Sequence, residues 1–109
     1  MTRVVFSRTK DHRITGFVSS GHSGYADEGE DIVCAGISAL VVNAVNSIDQ
    51  LTDARMVCEE DPDQALIRFE TADYEQPDVQ LLLSSLLLGL TGIEASYGSS
   101  WIEVSFKEV

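Results

Sequence analysis

The feature that most restricts the folds open to this chain is a change of apolar period along its length. Five short stretches alternate apolar and polar residues, and two longer ones repeat apolar residues every three or four positions. Alternation suits a strand with one buried face, whereas the longer period suits a helix with one buried stripe. Residues 3–7 and 14–20 read as strands, carried by Val4 and Phe6 and then by Ile14, Gly16 and Val18, with a hairpin turn at Lys10, Asp11 and His12. A helix follows over residues 31–50, with Val33, Ile37, Leu40, Ala44, Ile48 and Leu51 as its inner stripe. Ala35, Gly36 and Ala39 leave room for a close neighbour, either a sheet or a second subunit. Residues 55–59 and 65–70 form a second hairpin around the turn Glu60-Asp61-Pro62-Asp63. Pro77 and Asp78 open a second helix that runs to Tyr97, with Leu82, Leu86, Leu90 and Ile93 inside and Gly98 as its stop. Residues 101–106 close the chain as a strand. The order ββαββαβ predicts an α+β fold, two helices packed on a mixed or antiparallel sheet, in one domain over residues 1–109.

Composition narrows the function classes. Seven Lys and Arg stand against eighteen Asp and Glu, a formal charge of −11. Such a surface repels phosphate backbones and attracts basic polypeptides, so direct nucleic-acid binding is not expected. The longest apolar run, residues 81–90, is broken by Ser84, Ser85 and Gly89 and falls short of the ~20 residues a membrane span needs. No membrane partner is expected. The first ten residues lack the apolar core of a secretion signal, which points to the cytoplasm, where Cys34 and Cys58 would remain thiols.

The stretch GHSGYADEGEDIVCAGISAL, residues 21–40, concentrates the residues that can carry chemistry. It places His22 at a strand end and Cys34 in the first turn of an apolar helix, joined by a loop with glycines at 21, 24 and 29. Helix N-termini carry partial positive charge, which favours thiolate over thiol. An imidazole folded back within reach could take the thiol proton and return it to a leaving amine, with nearby backbone N–H groups holding an oxyanion. Asp31, three residues before Cys34, suits a helix N-cap, or it orients His22. Ser38 lies one turn beyond Cys34 and either serves the site or bonds back to the helix carbonyl. Gly21 gives the backbone before His22 unusual freedom. A lone cysteine on an apolar helix is more often a small core residue, and the joint placement of His22, Gly21 and Asp31 is what shifts the reading towards catalysis. Cys58, in a strand, reads as core, and His12 as a solvated turn residue. Zinc binding by His12, His22, Cys34 and Cys58 lacks closely paired ligands, so no metal or cofactor is expected.

On Gly21-His22, Asp31-Ile32-Val33-Cys34 and Ser38-Ala39-Leu40, the chain resembles the bacterial ribosomal-processing cysteine protease family, Prp, over nearly its whole length. The resemblance implies a homodimeric endopeptidase that removes a short N-terminal extension from a ribosomal large-subunit protein, cutting after a hydrophobic, aromatic-containing sequence. Cys34 would be its nucleophile and His22 its acid and base. Ser23 stands where relatives carry a small residue such as alanine. Asp27, Glu28, Glu30 and Asp31 would present negative potential to a basic substrate tail, or simply form a solvated acidic loop, and the glycines would let that loop order over bound peptide. Two other classes compete: a non-catalytic ribosome-associated protein-binding module, and a thiol redox sensor in which Cys58 would have to reach Cys34.

Overall fold

The computed structural model describes residues 1–27 and 30–109. Its elements are β1 (Thr2–Arg8), β2 (Ile14–Ser20), α1 (Ile32–Leu51), β3 (Met56–Asp61), a 3-10 turn (Pro62–Gln64), β4 (Leu66–Thr71), α2 (Pro77–Tyr97) and β5 (Ile102–Glu108). The expected order holds. Five strands form one sheet in the order β3-β4-β2-β1-β5, and every neighbouring pair is antiparallel except β1 and β5, which run parallel. The sheet is therefore mixed, with both expected hairpins in place.

Register decides which face is apolar. Val4, Phe6, Phe17, Phe69 and Ile102 all point to one side and are buried there beneath both helices. Phe17 stacks on Phe69 with ring centroids 5.4 Å apart and meets Phe6 at 5.9 Å, so aromatic contact runs across three adjacent strands. The other face carries Arg68 paired with Glu59 at 2.8 Å, together with exposed Arg3, Glu70 and Glu103. An antiparallel sheet tolerates one wetted face in this way.

Within β2 the expected inner set was Ile14, Gly16 and Val18, and here the structure corrects the sequence. The ladder pairs Ser7 with Gly16 but Arg8 with Ile14, leaving Thr15 as an extra residue. This bulge reverses the facing beyond it, so Ile14 and Phe17 turn inward. Gly16 instead lies where any Cβ would collide with the Phe69 carbonyl on β4.

α1 buries Val33, Ile37, Val41, Ala44 and Ile48. Val41 takes the core place expected of Leu40, which is half-buried, and Leu51 at the helix end is 75% exposed. α2 buries Val79, Leu83, Leu86 and Leu90, while Leu82 and Ile93 are only half-buried. Both differences rotate the helix slightly from its expected face, because each helix packs against the other as well as the sheet. Gly89 and Gly36 mark that seam: a Cβ on Gly89 would meet Leu40 Cδ1 at 2.8 Å, and one on Gly36 would meet Ile93 Cδ1 at 3.4 Å. Ala35 and Ala39 point outward instead. Both helices are long and apolar enough by composition to cross a membrane, but each lays one side on the sheet. Pro77 stands at the start of α2, and Gly98 ends it at φ 104° with its N–H donated to the Glu94 carbonyl at 2.9 Å.

Candidate active site

β2 ends at Ser20, and Gly21 turns the chain at φ 84°, a conformation that side chains with a Cβ rarely adopt. The turn presses Gly21 against the start of β1. A Cβ there would sit 2.6 Å from the Met1 carbonyl oxygen, and Thr2 Oγ1 donates to the Gly21 carbonyl at 3.3 Å. His22 follows with an exposed side chain. The loop then returns to α1, whose apolar inner stripe fixes it in the core and brings half-buried Cys34 to the third residue of the helix.

Asp31 connects loop and helix. Its Oδ1 accepts the Cys34 N–H at 2.8 Å, and its Oδ2 accepts the Ser23 hydroxyl together with the N–H groups of Tyr25 at 3.1 Å and Ala26 at 3.4 Å. Desolvation works against its charge, but the Ser23 hydroxyl and the N–H groups of Cys34, Ala26 and Tyr25 outweigh it and hold the carboxyl below its ordinary pKa. Of the two roles open to Asp31, the structure realises the N-cap; among the described residues its acceptor oxygens face backbone N–H groups and Ser23 rather than His22. The Ala35 N–H also goes to the Asp31 carbonyl, at 3.0 Å. The N–H groups of Cys34 and Ala35 are thus occupied, which removes the nearest donors expected for an oxyanion.

His22, Cys34 and Ser38 line two adjoining clefts. One, of ≈ 240 Å³, runs between α1, which contributes Ile37 and Val41, and the β3–β4 hairpin, which contributes Glu60, Asp61, Pro62, Leu66 and Ile67. The other, of ≈ 450 Å³, is walled by the small residues Gly24, Ala26 and Ala35 together with Asp31. Ser38 opens onto both, and no bond back to the Cys34 carbonyl forms among the described residues. All five candidate residues, Gly21, His22, Asp31, Cys34 and Ser38, therefore gather at one end of the sheet.

Sequence reading missed two parts of this arrangement. Ser23 is 1% exposed and holds Asp31, a role signalled only by a hydroxyl in a segment otherwise destined for solvent. The hairpin wall comes from residues far along the chain, and no local pattern announces it. Tyr25 packs edge-on against Tyr97 and Trp101, each at 5.5 Å, and ties the loop to the end of α2. Glu28 and Gly29, part of the expected acidic, glycine-containing loop, lie outside the described residues. Cys58 is half-buried in β3, where desolvation and then the Glu60 carboxylate push its thiol pKa up, as suits a packing residue more than a redox partner. His12 occupies the β1–β2 turn at φ 66°.

A thiol on the first turn of a core helix and an imidazole from the preceding loop, lining one cleft of an α+β domain, are the pair of groups that a cysteine peptidase uses. A family model described as Cysteine protease Prp matches residues 1–101, and the chain belongs to that family. It is a cysteine-type peptidase. The ribosomal processing cysteine protease Prp of Staphylococcus aureus (strain Mu50) is 30% identical over 107 residues, covering 98% of this chain and 100% of the relative. That of Bacillus subtilis (strain 168) is 31% identical over 101 residues, covering 89% of this chain and 90% of the relative. The crystal structure of the S. aureus protease with a covalently linked product peptide superposes with a TM-score of 0.93 at 30% identity, over 98% of this chain and 100% of that one. SMU.848 from Streptococcus mutans gives 0.85 at 26% identity, over 100% and 96%.

Proposed function

We propose that this peptidase removes the N-terminal extension of a basic ribosomal large-subunit protein in the cytoplasm, with Cys34 as nucleophile and His22 as general base and acid. The observation that carries the reading is the presence of both side chains in the walls of the same two clefts, at the start of α1. His22 takes the thiol proton and the sulfur attacks the scissile carbonyl carbon. The tetrahedral intermediate collapses as His22 returns the proton to the leaving amine, and water, activated by the same imidazole, then cleaves the thioester. Capture of the S. aureus relative with a covalently linked product peptide supports a covalent step of this kind. The net charge of −11 favours encounter with a basic substrate.

A homodimer is part of the proposal. α1 carries no charge from Ile32 to Ile48, nor does α2 from Val79 to Ile93, and Ile32, Val42, Leu81 and Leu88 are exposed along the outer side of these helices. Apolar surface of this extent supports a second copy as partner.

The test is incubation with a peptide spanning the unprocessed extension, read by mass spectrometry. Wild type should cut it, and Cys34→Ala and Cys34→Ser should not. His22→Ala should fall by ~100-fold or more. Unchanged cutting by Cys34→Ala would remove the nucleophile assignment.

A further inference from the structure

We propose that Glu60 is a specificity residue that selects a Lys or Arg side chain in the peptide bound along the cleft between α1 and the β3–β4 hairpin. The proposal rests on the peptidase reading above and narrows its substrate class.

The position of Glu60 follows from strand register. Glu60 pairs with Ile67 across β3 and β4, two residues from the Cys58–Phe69 pair, so its side chain belongs to the helix-facing side of the sheet. Its neighbour Glu59 belongs to the open side, where Arg68 neutralises it at 2.8 Å. Glu60 has no such partner: no ion pair among the described residues includes it, and no lysine or arginine lines the cleft. Asp61, the other carboxylate lining the cleft, accepts the Asp63 N–H at 3.1 Å and caps the 3-10 turn. Glu60 is therefore the carboxylate free to meet a ligand.

The other residues lining the cleft with Glu60 and Cys34 define the ligand. Ile37, Val41 and Ile67 form an apolar strip along the same cleft. Glu60 is exposed, so an incoming opposite charge gains the modest amount typical of a solvent-screened pair. Lysine and arginine match both features, because their methylene stems lie on apolar surface while the charged head reaches outward. A short apolar side chain would fill the strip but leave Glu60 unmet, and an acidic one would be repelled. Selection of this kind acts on one residue of the peptide held in the cleft, outside the hydrophobic, aromatic-containing sequence that precedes the cut, unlike the general attraction of an acidic protein for a basic one.

The experiment uses the extension peptide with Lys, Met and Glu placed in turn at each of the positions flanking the cut, assayed as kcat/KM on wild type, Glu60→Gln and Glu60→Lys. At one position wild type should prefer Lys over Met by about fivefold, the upper range for a partly solvated charge pair, and Glu should be the poorest. Glu60→Gln should bring the ratio of Lys to Met kcat/KM to about one, whatever its absolute rate, and Glu60→Lys should favour Glu. The wild-type preference should shrink as salt is raised, a response that a purely structural role would not produce. Equal cutting of all three peptides by wild type, or an undiminished Lys preference in Glu60→Gln, would overturn the assignment of Glu60 and leave the peptidase reading standing. Failure of wild type to cut any peptide would instead count against the proposed processing function.

Discussion

Replacing Gly21 by alanine tests whether one backbone contact places the imidazole. At φ 84° a residue with a Cβ pays a conformational cost of about 1–2 kcal/mol. The added carbon would also sit 2.6 Å from the Met1 carbonyl oxygen, where ordinary contact begins at 3.4 Å, so backbone must shift by the better part of an ångström. Together these effects should cost about 2–4 kcal/mol, which for a domain of this size lowers Tm by on the order of 10 °C. Gly24 is the control, because it has φ 73° but open space for 4 Å around the place a Cβ would take, so Gly24→Ala should carry only the dihedral cost. Thermal unfolding by circular dichroism measures both variants, and peptide cleavage well below either Tm measures the site. Gly21→Ala should lose tenfold or more in kcat/KM, since displacements of this size between reacting groups slow the reaction steeply. If Gly21→Ala and Gly24→Ala agreed in both Tm and cleavage, the claim that the Met1 contact positions His22 would be refuted.

Gln80 donates to the carbonyls of Ile14 and Tyr74, both at 2.7 Å, and accepts the Ile14 N–H at 2.9 Å, so Gln80→Ala should cost about 1–3 kcal/mol and speed amide exchange at Ile14; unchanged exchange there would contradict the role. The lowered pKa of Asp31 means that its ionised form is favoured by the fold, so its contribution is present above the ordinary carboxylate value of 3.8 and is lost as pH falls through the folded value. Asp31→Asn, which can still cap the helix, should therefore melt below wild type at neutral pH, and the gap should narrow as the pH falls below 3.8. A gap that did not narrow as the pH fell further below 3.8 would show the charge to be irrelevant. Leu88, 74% exposed on α2, should disrupt self-association when changed to Glu, read by light scattering during size exclusion; a variant that kept the wild-type mass would place the interface elsewhere.

Much of the architecture was legible because period and punctuation agreed. Pro77 and Gly98 bounded α2 correctly despite Gly89 and Gly92 in its middle, since neither glycine is followed by turn chemistry and Gly89 has a packing use against Leu40. The rotation of the inner stripes was not legible: choosing Val41 over Leu40 depends on where the other helix lies, and periodicity cannot supply that. The bulge at Thr15 was hidden for a similar reason, because it is a property of the pairing between β1 and β2 rather than of either strand. At the site, proximity in sequence made His22, Asp31 and Cys34 readable together, whereas the hairpin wall depends on the sheet order that brings β4 beside β2. Ser23 escaped notice because its value lies entirely in one buried bond to Asp31.

The imidazole and thiol come from residues 22–34, whereas the facing wall comes from residues 60–67. The proposed reacting groups and one wall of the cleft consequently occupy separate stretches of the gene. Exchanging the hairpin between related chains would change that wall while leaving His22 and Cys34 in their own stretch, so on the proposed reading one part of substrate preference can drift independently of the reacting pair.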